Sequence, residues 1–462
     1  MKGAEVTILG AGLCGALLSI ILARRGLQVT LLERSADPRL AAAAGGRTIN
    51  LAMAARGIRG LRHAGIFARV EPLLVPLRGR RIHRLDGGTE LHLYGQRSSE
   101  VIYSVSREDL NRLLVDAAES EHRVTIRFNQ EAVGYDTVNA VLHMRDLDTA
   151  QQYALEPAPL IAADGAGSIV RRAFGAAGGI GGCEELLQHR YKELNIPAGP
   201  DGTFRMDGSA LHIWPRGGFM LIALPNPGGD FTLTLFLPLE GKHSFAALDS
   251  DAAVKRFFEA QFPDVARLVQ DLPTSWRQNP TGILGTVRSR HWHDGGRVLL
   301  IGDAAHAVVP FHGQGMNLTF EDCVVLDQVL ESTHPDWANA FSLFETTQIA
   351  NANAIADMAL ENYVEMRDTV REPKHLLRRE LAFALERRLP DRFIPRYSMI
   401  MFHDEIPYAV AQRRGIVQQR ILEELTATAD SIEEIDMDAA VGLVVSRLPP
   451  LPANTDADAR HA

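Results

Sequence analysis

Residues 6–9 read Val-Thr-Ile-Leu, an apolar run that glycines end at once. A run that short, bounded by glycine, predicts a strand. Residues 13–25 carry a helical apolar pattern, and residues 29–32 (Val-Thr-Leu-Leu) predict a second strand. Strand, turn, helix, strand is a βαβ unit with parallel strands and a right-handed crossover. Residues 107–119 show helical periodicity, and residues 124–128 alternate in the manner of a strand. Between 211 and 238 the pattern becomes three short runs, 211–214, 219–224 and 231–237, separated by Pro/Gly-rich turns. That predicts an antiparallel sheet. Within it Met220, Ile222 and Leu224 alternate by two and so face one side together. The glycine-rich stretch 175–182 reads as a mobile loop. Strand character returns at 297–303, and from Trp337 to about Arg447 helical patterning dominates, broken by Pro373, Pro390 and Pro395. Without repeats or a long linker, the domains are expected to interleave along the chain.

With 462 residues the chain can bury a large core and divide into two or three units. Its 46% hydrophobic and 23% charged content are those of an ordinary globular protein. The net charge of −9, with no dense Lys/Arg block, argues against nucleic acid as a partner. Cys14, Cys183 and Cys323 are too few and too scattered for a disulfide framework or a Cys-rich zinc site, so a cytoplasmic setting is expected. No run approaches the roughly 20 apolar residues of a membrane-spanning helix, so no membrane anchor is expected. The first five residues lead straight into the first strand, which is not how a signal peptide begins. Residues 451–462 read as a disordered polar tail.

Candidate chemistry begins with Gly10-x-Gly12-x-x-Gly15, directly after the first strand and opening a helix, with Glu33 ending the second strand. Such glycines allow a tight turn, close approach to a pyrophosphate and close helix packing, while the acid can accept from ribose hydroxyls. This motif alone leaves FAD and NAD both open. A further motif, about 290 residues on, separates them. Leu299-Leu300-Ile301-Gly302-Asp303 is an apolar strand ending in Gly-Asp, and Pro310-Phe311-His312-Gly313-Gln314-Gly315-Met316-Asn317 then leads into a helix. An Asp so placed can hold a ribityl hydroxyl, and the helix start can face a flavin ring. Between the two lies Ala163-Asp164-Gly165-Ala166-Gly167-Ser168, again Asp-Gly after an apolar strand. Gly178-Gly179-Ile180-Gly181-Gly182 follows no strand and is not read as a second dinucleotide site. His306, His312 and the pair His291, His293 raise the question of a metal, but no matching acid or Cys set accompanies them, and none is expected.

These three motifs, in this order, resemble the single-component flavoprotein aromatic hydroxylases. Further segments resemble the kynurenine 3-monooxygenase family among them: Gly46-Arg47-Thr48-Ile49-Asn50-Leu51-Ala52, Arg78-Gly79-Arg80, Tyr191-Lys192-Glu193-Leu194, Leu211-His212-Ile213-Trp214-Pro215, residues 309–317, residues 358–366 and residues 392–399. The likeness runs from residue 5 to about 450. It departs from the family's usual pattern at Thr48, Ala163 and Ala307.

The resemblance implies an α/β FAD-binding domain of glutathione-reductase type, an antiparallel β-sheet substrate domain and a C-terminal helical region. The expected boundaries are 1–75, 103–180 and 288–345 for the FAD domain, 76–102 and 181–287 for the sheet, and 346–450 for the helical cap. FAD contacts are implied for Gly10, Gly12, Leu13, Gly15, Glu33, Arg34, Ala52, Arg107, Ala132, Asp164, Asp303, Gly315, Met316 and Asn317. Arg80, Tyr94, Asn362 and Tyr397 would hold a substrate carboxylate. Leu211, Met220, Ile222, Leu224, Thr234, Phe236, Pro310, Phe311, His312 and Met366 would line a slot for the aromatic ring. Read without the resemblance, Arg78, Arg80 and Arg81 are a charge run of the kind that usually makes a solvated face.

The implied reaction is NADPH-consuming hydroxylation of L-kynurenine to 3-hydroxykynurenine by O2, through a flavin C4a-hydroperoxide and with no protein residue as general acid or base. A related hydroxylase for a substituted kynurenine or another aromatic amino acid is the alternative, and a monomer or weak homodimer is expected. No Cys or His stands in a flavinylation context, so FAD should be held non-covalently. Acid precipitation of the purified protein should release all of its flavin; yellow colour retained in the pellet would refute this.

Overall fold

The computed structural model describes residues 4–40, 49–157, 159–176, 182–333, 336–369 and 372–451. Part of the segment 46–52, most of the glycine-rich stretch and nearly all of the expected tail lie outside them. The described part of the stretch differs from a loop, because the helix Ile169–Ala176 runs into it and the long strand Gly182–Ile196 begins at its end.

The opening pattern folds as its periodicity dictates. Glu5–Leu9 and Gln28–Leu32 are parallel neighbours in register Val6↔Val29, joined through the helix Leu13–Arg24. That helix is buried on nearly every side, which explains why its apolar residues form no single stripe. Four more strands complete a six-stranded sheet in the order 293–294, 298–300, 160–162, 5–9, 28–32, 124–127. All pairings are parallel except the short edge strand 293–294. The first strand therefore sits between partners more than 100 residues apart, Ile8 facing Ile161 on one side and Leu31 on the other.

A second, seven-stranded sheet runs in the order 281–289, 182–196, 231–238, 220–225, 210–215, 79–83, 89–93. One pairing departs from the antiparallel expectation: Ala210–Pro215 lies parallel to Gly79–His83, with Leu211 beside Arg80. Parallel neighbours need a long crossover, and the chain between 93 and 210 supplies it through the first domain. The alternation in Met220–Pro225 divides the faces as predicted. Leu221 and Ala223 pack with Leu233, Leu235, Phe257 and Phe258 under the helix Asp251–Gln261, while Met220 joins Phe236 and Phe311 on the other face.

Helices cover that second face. Trp337–Val364 is one continuous 28-residue helix, so the expected boundary at 345/346 falls inside a single element. Its first half packs in the FAD-side core through Phe341 and Phe344, and its second half reaches the sheet through Ala359 and Tyr363. The helices Pro373–Arg388, Tyr408–Leu425 and Met437–Arg447 then share a separate core around Leu381, Leu385, Ile421 and Val444. Pro373 opens one of these helices at a position where its missing N–H costs nothing. No helix among the described residues is long and apolar enough to cross a membrane.

Arg56 fastens this cap to the first domain. It is fully buried, donates to the Ile400 carbonyl at 2.6 Å and to the Ile406 carbonyl, faces Glu321 at 3.2 Å, and stacks over Tyr408 at 3.9 Å. Arg59 also faces Glu321, at 3.0 Å, so removing Arg56 takes away one of two cations and leaves two buried carbonyls without their donor, a cost of about 3 kcal/mol, the lower end for a broken buried pair. Arg56→Met should lower stability by that amount in chemical denaturation followed by tryptophan fluorescence. A loss below about 1 kcal/mol would show that Arg56 does not hold the cap.

Candidate active site

The carboxyl ends of the parallel strands and the inner face of the large sheet meet at one cavity of about 600 Å3. Its first half is built by the glycine turn. Gly10 has φ +100°, and a Cβ there would stand 2.5 Å from the Ala163 carbonyl oxygen, so no other residue fits. A Cβ on Gly15 would stand 1.9 Å from the Gly10 carbonyl oxygen. Gly12 has open space around it and begins the helix without a side-chain cap or an acid in its first turn. The helix N-terminus thus keeps its N–H donors and positive potential for an anion in the cavity.

Three acids stand around this cradle. Glu33 is held by the backbone N–H groups of Ala11 and Ser35, each at 2.8 Å, and lines the cavity. Asp164 accepts from the Ile169 N–H at 2.8 Å, but its other oxygen is buried without a partner, and burial raises its pKa. Asp303 lines the cavity just after Gly302, whose φ of +59° turns the strand end sharply. An unpartnered carboxylate oxygen, a free helix N-terminus and glycines that admit a pyrophosphate fit the adenine-dinucleotide portion of FAD. Leu13, Arg34, Ala52, Arg107, Ala132, Gly315 and Met316 line the same space.

Two implied cofactor residues do not line it. Gly15 acts through the helix packing just described. Asn317 is fully buried; its Oδ1 accepts from the N–H groups of Ala54 and Gly57, and its Nδ2 donates to the Ala52 and Gly313 carbonyls. It caps the helix Ala55–His63, whose own N-cap, Ala54, has no side chain able to do so.

The second half of the cavity is apolar. Leu211, Met220, Ile222, Leu224, Thr234 and Phe236 line it from the sheet, and Pro310, Phe311, His312 and Met366 from the opposite side. Arg80, Tyr94 and Tyr397 close its far end. The Arg80 guanidinium lies 4.7 Å from the Tyr397 ring centre and 5.7 Å from that of Tyr94, and the two rings stack at 5.6 Å. Arg80 Nε and the Tyr94 hydroxyl are buried without hydrogen-bond partners. Burial opposes the Arg80 charge, but Tyr397, Tyr94 and Glu365 outweigh it and raise the pKa. Burial pushes both tyrosine pKa values up, keeping them neutral donors. His312 stacks on Tyr397 and is pushed down to about 3, first by burial and then by Arg80, Arg396 and Arg56, so its imidazole is neutral.

Asn362 does not line this cavity but the neighbouring one, which Arg80, Tyr94, His312 and Tyr397 also line. Its amide donates to the Phe311 carbonyl at 2.7 Å, which fixes the loop carrying Phe311 and His312. The same loop is tied to the cap by Gln314, which accepts from the Tyr408 hydroxyl at 2.7 Å.

One supporting pair went unread in the sequence. Asp322 accepts from His306 Nε2 at 2.6 Å, from Gln348 at 2.9 Å and from the Gly302 N–H at 3.2 Å, all buried directly behind Asp303. Burial works against charge on His306, but Asp322 outweighs it and raises the pKa. His306 is thus an anchor for the Asp303 turn, and no group of metal-ligating side chains occurs among the described residues. The only signal for this pair was an acid inside an apolar helix.

Residues 3–354 match the FAD binding domain family. The chain is 46% identical over 446 residues to the kynurenine 3-monooxygenase of Myxococcus xanthus, covering 96% of each chain. It is 45% identical over 447 residues to that of Stenotrophomonas maltophilia, covering 97% of this chain and 98% of the relative. Among solved structures, the tetrameric form of 2-methyl-3-hydroxypyridine-5-carboxylic acid oxygenase aligns with a TM-score of 0.65 at 21% identity, covering 82% of this chain and 96% of that one. Pseudomonas aeruginosa PqsL in complex with 2-aminobenzoylacetate aligns with a TM-score of 0.63 at 20% identity, covering 79% of this chain and 97% of that one. These two support the fold alone. With its dinucleotide cradle joined to an aromatic slot, and with relatives this similar over nearly its whole length, the chain belongs to the FAD-dependent aromatic monooxygenases, in the kynurenine 3-monooxygenase family.

Proposed function

We propose that the chain hydroxylates L-kynurenine to 3-hydroxykynurenine, with NADPH and O2 as co-substrates. The observation that carries this reading is the buried Arg80, flanked by Tyr94 and Tyr397, at the end of an apolar slot continuous with the dinucleotide cradle. L-Kynurenine is an ortho-amino aryl ketone with an amino-acid tail, so it needs a flat apolar site and a cation at one end. Three free cysteines, Cys14, Cys183 and Cys323, suit a reducing cytoplasm, and the small-molecule reaction needs no more than a monomer or weak homodimer.

Glu33, Asp164, Asp303 and the glycine turn would hold FAD, which would supply the redox chemistry between NADPH and O2. The chain's own residues bind and orient. Arg80 grips the carboxylate through its planar fork, and Tyr94 and Tyr397 add neutral donors beside it. The sheet side chains Met220, Ile222, Leu224 and Phe236, with Phe311 opposite, hold the ring and exclude water. The substrate's aniline nitrogen already makes the carbon ortho to it electron-rich, so no protein base is required. His312, pushed down to about 3 by burial, is too weakly basic to serve as a general base there, which fits that absence of base chemistry.

Losing a charge-assisted hydrogen bond costs about 1.5–3 kcal/mol, so Arg80→Ala should weaken L-kynurenine binding roughly 10- to 150-fold at matched FAD content. Arg80→Lys should recover part of the loss, because it keeps the charge without the fork. The decarboxylated analogue should bind wild type and Arg80→Ala alike. L-Kynurenine binding by Arg80→Ala within twofold of wild type would remove the carboxylate assignment.

The pH dependence follows from His312. An unperturbed histidine titrates near about 6.5, whereas one depressed to about 3 stays neutral down to mildly acid pH. L-Kynurenine affinity should therefore stay constant between about pH 6 and 8. A threefold or larger change centred near pH 6.5 that disappears in His312→Gln would show that the ring titrates in the working range.

A further inference from the structure

Hydride delivery needs a second nucleotide beside the cofactor, and the fold offers it no cradle of its own. One glycine turn of dinucleotide type occurs among the described residues, at 10–15, and FAD would fill it. NADPH must then dock on open protein where the cradle meets the apolar slot. A second cavity of about 700 Å3 lies behind Arg80, but Arg80, Tyr94, His312 and Tyr397 line both spaces and stand between it and the cradle.

The long strand Gly182–Ile196 borders the junction of cradle and slot. Its partner is the strand 231–238, with Tyr191 opposite Phe236 and Glu193 opposite Thr234, two residues that line the slot. Alternation puts Tyr191 and Glu193 on the slot face. Lys192 and Leu194 point the other way: Lys192 Nζ donates to the Trp276 and Asn279 carbonyls, and Leu194 packs with Leu233. The Tyr191 ring lies over Gly282, where a Cβ would stand 2.1 Å from its Cζ. Arg107, which lines the cavity, acts on both groups. Burial raises the Glu193 pKa, and Arg107 opposes that rise. Both side chains are half-buried, yet neither the Glu193 carboxylate nor the Tyr191 hydroxyl has a hydrogen-bond or ion-pair partner among the described residues. Polar groups removed from water in this way call for a partner.

We propose that Tyr191 and Glu193 receive the nicotinamide end of NADPH at the margin of the slot. This rests on the NADPH-consuming reaction above. Hydride transfer carries two electrons and one proton from the dihydronicotinamide to the cofactor and leaves NADP+, whose ring is then a cation. A carboxylate beside that ring stabilises the positive charge as it develops. The Tyr191 ring supplies a flat apolar surface next to it, which also favours a cationic ring. The segment Tyr191-Lys192-Glu193-Leu194 then has a use on both faces: Lys192 ties the sheet to the helix Leu272–Gln278, and its two neighbours face the nucleotide.

The experiment measures, by calorimetry, binding to the FAD-loaded protein of NADP+ and of tetrahydro-NADP, whose nicotinamide ring is uncharged and gives no hydride. Glu193→Gln, which keeps the shape and removes the charge, should weaken NADP+ binding about tenfold and tetrahydro-NADP binding by less than about threefold. Tyr191→Leu should weaken both by about two- to tenfold, the loss of one ring contact. FAD content and L-kynurenine binding should stay within about twofold of wild type in both variants. NADP+ binding by Glu193→Gln within twofold of wild type would overturn the proposal, as would unchanged nucleotide binding by Tyr191→Leu. Equal weakening of the two nucleotides by Glu193→Gln would overturn it too, because a contact that only positions the ring does not sense its charge. So would loss of FAD or of L-kynurenine binding, which is what a mere support of Arg107 or of the slot wall predicts. If wild type binds neither nucleotide, the NADPH reading itself falls, and this proposal with it, whatever the variants do.

Discussion

Two backbone segments approach one another at Gly10 more closely than any side chain would permit, and the rest of the site depends on that approach. The turn leaves the first strand against the Ala163 carbonyl, and Gly15 brings the following helix down on the Gly10 carbonyl. The helix N-terminus then points at the ends of three parallel strands, where Glu33, Asp164 and Asp303 converge from positions 33, 164 and 303. A methyl group at either glycine would push the helix off the sheet and open the cradle. Only with the cradle closed does its far end meet the apolar face of the second sheet.

That second face is finished by pieces from elsewhere. The loop bearing Phe311 and His312 comes from the FAD-side fold, yet it is pinned from the cap by Asn362 and, through Gln314, by Tyr408. Arg56 draws the cap down onto the same fold through carbonyls 344 and 350 residues away in sequence. The aromatic slot therefore belongs to no single domain. Its walls are held by buried polar contacts between residues distant in the chain, so small displacements are costly.

Local rules made much of this legible. Glycine spacing after a strand, alternation by two at Met220, Ile222 and Leu224, and helical periodicity at 107–119 each depend on a few neighbouring residues, and each appears in the fold. What escaped depends on partners distant in the chain. The parallel pairing of Leu211 with Arg80 follows from a crossover through another domain. Asn362 and Asn317 are drawn to backbone groups because those carbonyls and N–H groups are buried and would otherwise lack partners. His306 and Asp322, 16 residues apart, meet behind a turn whose geometry no local pattern encodes.

The strand order of the six-stranded sheet has a consequence for synthesis. The first strand is bordered by residues 160–162, and these in turn by residues 298–300. At translation rates of about 5–20 residues per second, the emerging N-terminal strand waits roughly 15–60 seconds before the last of that set leaves the ribosome. For about the last 7–28 seconds of that wait, once residues 160–162 have emerged, the edge they form is a parallel template with open N–H and C=O groups. Expression conditions that slow elongation or raise temperature therefore act first on this half-built sheet, long before the active site exists.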